Sequence, residues 1–223
     1  MDSTNPVIML EDIWIKRGNE YVLEHVNLQL YPGDFACIYG RSGSGKTSLL
    51  RVLALVDRPA RGKVVLDGRD YSSSGDAERA HARARLIGYI PQHDNIIDQL
   101  LVWENIALPL LLQGLGEEEA LKKTERIASS LGIETLLYRR PRSLSGGQRR
   151  RVAILRAIIK DPMILVADEP LTGLDDELIR VVYRIFSQHS NNGKTVIYAT
   201  PDTTDNPPCT RVFRIKARRL IEE

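Results

Sequence analysis

Aromatic residues, histidine and cysteine are all scarce in this chain of 223 residues, and its charges nearly cancel. The two cysteines, Cys37 and Cys209, stand far apart and form neither a metal-binding nor a redox spacing. Cys37 reads as a small buried hydrophobe within a strand. With 31 basic and 29 acidic residues the net charge is +2, so no global field favours nucleic acid. Long hydrophobic runs are missing too. The most apolar region, Ile96 to Leu115, is interrupted by Asp98, Gln99, Glu104, Asn105 and Gln113 and is unable to span a bilayer. The N-terminal Met1-Asp2-Ser3-Thr4-Asn5-Pro6 has an acid where a secretion signal needs cations, and no long apolar core follows. These absences point to a soluble, cytoplasmic protein in a reduced compartment. The 43% hydrophobic and 27% charged fractions are those of a globular chain able to bury one substantial core.

Against that plain background stands Gly40-Arg41-Ser42-Gly43-Ser44-Gly45-Lys46-Thr47. It follows the apolar run Phe35-Ala36-Cys37-Ile38-Tyr39, which reads as a buried strand, and precedes Ser48 to Leu55, whose apolar spacing fits a helix. Strand, glycine-rich turn and helix form the context in which GxxxxGK[ST] binds phosphate. Glycines let successive backbone N–H groups curl around an anion, and the helix N-terminus adds partial positive charge. Lys46 is expected on the β- and γ-phosphates and the Thr47 hydroxyl on Mg²⁺, with Ser48 among the nucleotide-binding residues. The chain is expected to bind a nucleoside triphosphate.

Strand-like runs at Val7–Leu10 and Leu23–Leu30, divided by Arg17-Gly18-Asn19-Glu20, predict an antiparallel β layer ahead of this loop. Lys63–Leu66 returns to it and stops at Asp67-Gly68, a hairpin signal. Residues 72–85 read as a charged helix and 86–90 as a strand. Helical periodicity then dominates from Ile96 to Ala157, an insertion rather than a separate domain because strands resume at Pro162–Ala167 and Thr195–Ala199 around a helix from Asp176 to His189. Short strands at 212–215 and 219–221 close the chain. Alternating strands and helices predict a parallel α/β core.

A second motif, Leu144-Ser145-Gly146-Gly147-Gln148, opens a helix with backbone donors but no lysine. A third, Ile164-Leu165-Val166-Ala167-Asp168-Glu169-Pro170, is an apolar strand ending in two acids. There Asp168 is expected to hold Mg²⁺ through water and Glu169 to polarise an attacking water.

In this order the motifs resemble the nucleotide-binding cassette of ABC transporters along essentially the whole chain. GRSGSGKT resembles its Walker A, Gln92 its Q-loop glutamine, LSGGQ its signature motif, ILVADEP its Walker B, and Leu171-Thr172-Gly173-Leu174-Asp175 its D-loop. The texture of Val56-Asp57-Arg58-Pro59, Glu104–Gly114 and Arg151–Ala157 is similar to the lipoprotein-releasing, macrolide-export and cell-division cassettes. The resemblance implies a P-loop NTPase ABC cassette with an antiparallel β subdomain, a parallel-sheet core and an inserted helical subdomain at 93–157, flanked by 1–92 and 158–223. It implies a head-to-tail dimer, homomeric or heteromeric, in which each ATP lies between one chain's Gly40–Thr47 and the other's Ser145–Gln148. It further implies Gln92 as a ligand of Mg²⁺ and water, catalytic roles for Lys46, Gln92 and Glu169, and an integral membrane permease as partner, with the cassette peripheral on the inner face of the membrane. Trp103 and Ile106–Leu112 are candidates for the permease groove, although packing inside the insertion explains them as well.

Two positions depart from the family pattern. Where the family has a histidine that contacts the γ-phosphate, this chain has Pro201, which lacks a side-chain donor and a backbone N–H; none of His25, His81, His93 and His189 matches that slot. Weak or conditional ATPase activity is therefore expected. Where the family stacks adenine on an aromatic residue stands Arg17, whose guanidinium can itself stack on a base. The basic run Arg149-Arg150-Arg151 is assigned a structural or phosphate-facing role, not a nucleic-acid patch. An ATP-gated dimerisation switch that signals to a membrane partner with little transport is the alternative to a transport ATPase.

Overall fold

A β-bulge explains the length of the first strand. In the computed structural model, which describes residues 5–201 and 206–223, β1 spans Ile8–Arg17. Its buried residues are Ile8 and Leu10 and then Ile13 and Ile15. The switch from even to odd falls at Asp12, whose φ is 47°, and the register against the neighbouring strand shifts there. Strand β2 (Glu20–Leu30) makes the matching change at His25, φ 53°, between Leu23 and the buried set Val26, Leu28 and Leu30. With β4 (Arg61–Leu66) and β5 (Arg69–Asp70) these strands form an antiparallel sheet in the order β2-β1-β4-β5. The hairpin signal holds: Asp67 and Gly68 both have positive φ, 49° and 73°, as a tight turn between β4 and β5 requires.

The second sheet runs β10-β9-β3-β8-β7-β6, from β3 (Phe35–Tyr39), β6 (Ile87–Ile90), β7 (Ile164–Asp168), β8 (Thr195–Thr200), β9 (Arg211–Lys216) and β10 (Arg219–Glu222). All its pairings are parallel except the β9–β10 hairpin. Every residue of β7 and of β8 is buried, as a strand covered on both faces requires. Helices α1 (Lys46–Leu53), α2 (Asp76–Leu86) and α6 (Asp176–Asn191) follow or precede core strands. Between β6 and β7 come α3 (Val102–Leu112), α4 (Glu117–Ala128) and α5 (Gly146–Ile158). Ala107 and Leu110 of α3 pack on Ala120 of α4, and Trp103 packs against the same cluster. Leu112, by contrast, is 76% exposed. Acid-bearing Met1–Thr4 and Asp202 lie outside the described residues.

One expectation is corrected. Cys37 and Cys209 do not stand apart: they are paired as a disulfide with a Cα–Cα distance of 5.8 Å. Sequence separation hid this because β9 runs beside β3, pairing Cys37 with Val212. Just before β9, Thr210 and Phe35 exchange hydrogen bonds, Thr210 N–H to the Phe35 carbonyl at 2.9 Å and Phe35 N–H to Thr210 Oγ1 at 2.8 Å. That exchange delivers Cys209 onto the strand that leads to the phosphate loop, so the expectation of a reduced pair does not describe this structure.

Candidate functional site

The loop between β3 and α1 is shaped by its glycines. Gly43 and Gly45 have φ of 77° and 104°, backbone that L side chains resist. A Cβ at Gly45 would stand 3.0 Å from Leu23 Cγ of β2, so the antiparallel sheet closes the loop from one side. Lys46, 4% exposed, donates from Nζ to the carbonyls of Gly40 at 2.6 Å and Arg41 at 3.3 Å. Burial lowers its pKa, opposed by the charges of Glu169 and Asp168.

Strand β7 brings those two acids to the same end of the sheet, because parallel register sets Asp168 beside Ala199 of β8. Asp168 is fully buried, and neither carboxylate oxygen has a hydrogen-bond partner in bonding geometry among the described residues. Burial raises its pKa; the nearby Thr47 hydroxyl pulls it down, and Glu169 pushes it up. A dry carboxylate beside a threonine hydroxyl is an oxygen donor pair suited to Mg²⁺, which takes few protein ligands and completes its shell with phosphate and water. Glu169 follows with φ 47°, uncommon for a residue with a side chain, its N–H held by the Ala199 carbonyl at 2.9 Å. Its Oε1 stands 3.9 Å from Lys46 Nζ, and its Oε2 accepts from Gln92 Nε2 at 3.3 Å.

Lys46, Thr47, Gln92 and Glu169 share one cavity of about 390 Å³, lined also by Ser42, Gly43, Gly45, Ser48, Arg17 and Val22, with Asp168 buried next to it. Arg17, expected from the sequence to stack on adenine, lines this cavity, and its Nε donates to Ser48 Oγ at 3.0 Å. That bond directs the guanidinium to the phosphate end of α1. Pro201 lines a second cavity of about 260 Å³ that also reaches Glu169, beside Thr200 and Tyr198. His189 is remote from it in role, 3.8 Å from Asp161 and largely buried.

The signature residues behave differently. Ser145 caps α5, accepting the Gln148 N–H at 3.3 Å, while Gln148 Oε1 accepts the Ser145 N–H at 3.0 Å. Ser145 and Gly146 are exposed and Leu144 is buried. Among the described residues none of Leu144–Gln148 lines the cavity over Gly40–Thr47. Arg150, buried beneath the loop that carries Gln92, is the residue whose contact the sequence did not show; as the middle of three arginines it is indistinguishable by sequence from its half-buried neighbours.

Comparison with known proteins gives the family and the fold. Residues 23–172 match the family model described as ABC transporter. An uncharacterized ABC transporter ATP-binding protein of Thermotoga maritima is 34% identical over 218 residues, covering 96% of this chain and 93% of that protein. The lipoprotein-releasing system ATP-binding protein LolD of Aquifex aeolicus is 35% identical, covering 93% and 92%. The macrolide export ATP-binding/permease protein MacB of Marinobacter nauticus is 34% identical over 99% of this chain but only 35% of its own length. The dimeric post-hydrolysis structure of the ATP-binding cassette MJ0796 bound to ADP and Pi superimposes with a TM-score of 0.91 at 31% identity, covering 97% of both chains. With the phosphate loop, the paired acids and the capped signature helix in place, the chain belongs to the ABC transporter family as an ATP-binding cassette and an ATPase.

Proposed function

We propose that two copies of this cassette, or one copy and a related cassette, bind two ATP molecules head to tail and drive a separate membrane permease. The observation that carries this reading is the division of the site. Lys46, Thr47, Glu169 and Gln92 line one cavity, with Asp168 buried next to Glu169, whereas the exposed Ser145 and Gly146 and the half-buried Gly147 lie outside it. A second chain supplies them in trans. Gly40–Thr47 cradles the phosphates, Lys46 neutralises β- and γ-phosphate charge, and Ser48 and Arg17 hold the α-phosphate end. Thr47, Gln92 and Asp168 would hold Mg²⁺, which would supply charge neutralisation at the transferring phosphoryl group. Glu169 orients the attacking water, and Gln92 fixes Glu169 from the opposite side. Residues 93–157 act as the helical subdomain on the 1–92 and 158–223 body, and the chain works on the cytoplasmic face of the membrane against its permease.

Pro201 slows turnover, because the position beside Glu169 offers no donor to the γ-phosphate. A missing electrostatic contact of this kind is worth roughly 10²–10³ in rate. This feature favours the second reading, an ATP-gated dimerisation switch that moves little substrate. Two measurements test the proposal. Glu169→Gln is expected to bind ATP, lose turnover and accumulate as an ATP-dependent dimer in light scattering; a protein monomeric at saturating ATP overturns the composite site. Pro201→His is expected to raise kcat at least about tenfold; no gain removes the explanation for slow turnover. Membrane pull-down separates the two readings, since recovery of a permease whose substrate flux follows ATP consumption supports transport.

A further inference from the structure

The three arginines after the signature motif go to three different places. Arg149 Nη1 reaches Asp98 Oδ1 at 3.3 Å and the Pro141 carbonyl at 3.2 Å, and Arg151 Nη1 reaches the Leu131 carbonyl at 3.3 Å. Arg150 is the buried one, only 5% exposed. Its Nη1 donates to the carbonyl of Pro91 at 2.8 Å and its Nη2 to the carbonyl of Gln92 at 2.6 Å. Its Nε stands 3.2 Å from Asp94 Oδ1, a carboxylate oxygen that is itself buried without another partner. One planar guanidinium therefore spans the carbonyls on both sides of the Gln92 backbone N–H and is charge-balanced two residues further on. The Gln92 side chain beyond this clamp is the one that touches Glu169.

We propose that Arg150 is a positioning residue for hydrolysis, holding Gln92 against Glu169 and tying that contact to the helix that begins at Ser145. The proposal rests on the reading of the site given above. A rigid fork with two fixed donor directions suits this task; an ammonium can donate to two carbonyls, as Lys46 does to Gly40 and Arg41, but from one nitrogen on a flexible stem and without the planar fork that fixes their relative orientation. The first turns of α5 carry the signature donors at one end and Arg150 one turn later. Any displacement of that helix end when a partner's ATP docks on Ser145–Gly147 is therefore passed to the backbone of Gln92. Occupancy of the partner's site and the hydrolytic geometry of this chain's own site meet in one side chain. Arg156 serves as an internal comparison: it leaves the same helix and grips the same loop, through the carbonyls of Asp94 at 2.7 Å and Asn95 at 2.9 Å, but does not touch Gln92.

A double-mutant cycle tests this. Steady-state kcat is measured for wild type, Arg150→Ala, Gln92→Ala and the double variant, with binding of a fluorescent Mg²⁺–ATP analogue and the thermal midpoint recorded for each. Arg150→Ala is expected to lower kcat about tenfold or more while analogue affinity stays within about twofold, and to cause no further loss once Gln92 is Ala. Arg150→Lys is expected to recover only part of the rate, and it replaces Arg150→Ala in the cycle if the alanine variant does not fold. Arg156→Ala is expected to lower the thermal midpoint and to multiply its effect on kcat independently of Gln92. Losses from Arg150→Ala and Gln92→Ala that multiply in the double variant overturn the proposal, as does an Arg150→Ala protein with unchanged kcat. A Glu169→Gln variant that turns over as fast as wild type overturns the underlying reading instead, whatever the Arg150 variants do.

Discussion

Glu169 is held with its backbone in the left-handed region, and the buried Asp168 before it has no hydrogen bond in bonding geometry among the described residues, only the nearby Thr47 hydroxyl; these two acids are among the least comfortable residues of the site. Such strain persists only where the surroundings over-determine it, here through the Glu169 N–H bond to Ala199 and the fully buried strands β7 and β8. The consequence for pH is definite in sign. Burial lifts the Asp168 pKa above the ordinary value of 3.8, so the folded protein keeps that proton where the unfolded chain has released it. Its contribution to stability therefore falls as pH rises through the window between 3.8 and the raised value. Asp168→Asn is expected to raise the thermal midpoint of the nucleotide- and metal-free protein at neutral pH by a few degrees, at about 2–4 °C per kcal/mol for a chain of this size, while abolishing Mg²⁺-dependent hydrolysis. Calorimetry over pH checks it: an Asn variant no more stable than wild type at pH 7 shows that the carboxylate costs nothing. Most of these residues were legible in the sequence because each motif is contiguous and its residue types have only one joint use. The direction of Arg17, toward Ser48 Oγ, was not legible, since a side chain's partner 31 residues away is set by how β1 meets α1.

At the scale of elements, strands were legible where alternation or an unbroken apolar run survives, as in β7 and β8, and were shortened where it does not. Only the first part of β1 follows a single parity; beyond the bulge at Asp12 the inward residues change phase, and a period-2 reading stops there. The pairing of Cys37 with Cys209 was hidden for a related reason: it depends on β9 lying beside β3, a sheet order that local patterning does not encode. Tight packing between elements leaves its own mark at Gly88 of β6. A Cβ there would stand 2.3 Å from the Ala157 carbonyl of α5 and 2.8 Å from Pro162 Cγ. Gly88→Ala is expected to push the signature helix off the sheet and cost about 1–3 kcal/mol, read as a lower midpoint in urea or thermal unfolding. A variant as stable as wild type shows that α5 can shift without penalty.

At the scale of the whole molecule, the proposed dimer gives the chain two halves of different sites, with Gly40–Thr47 and the paired acids in one place and the signature donors in another. That arrangement predicts complementation. Lys46→Ala and Ser145→Arg are each expected to be inactive alone, since every composite site in either homodimer then has one damaged half. Mixed, they form dimers with one intact site and one doubly damaged site, and activity at equal amounts is expected to return to about a quarter of wild type if subunits exchange freely and sites act independently. Activity that never rises above the two separate proteins overturns the composite arrangement. The cap of α5 bears on how such a site assembles. Ser145 Oγ already accepts the Gln148 N–H within its own chain. A hydroxyl oxygen committed as an acceptor on one side leaves its single hydrogen to be given away on the other, into solvent at an exposed helix start. Each copy thus folds with that hydrogen left uncommitted by the cap. In the proposed dimer an incoming triphosphate would meet a hydroxyl whose hydrogen need not first turn away from this bond, and whose oxygen was already held when the helix formed.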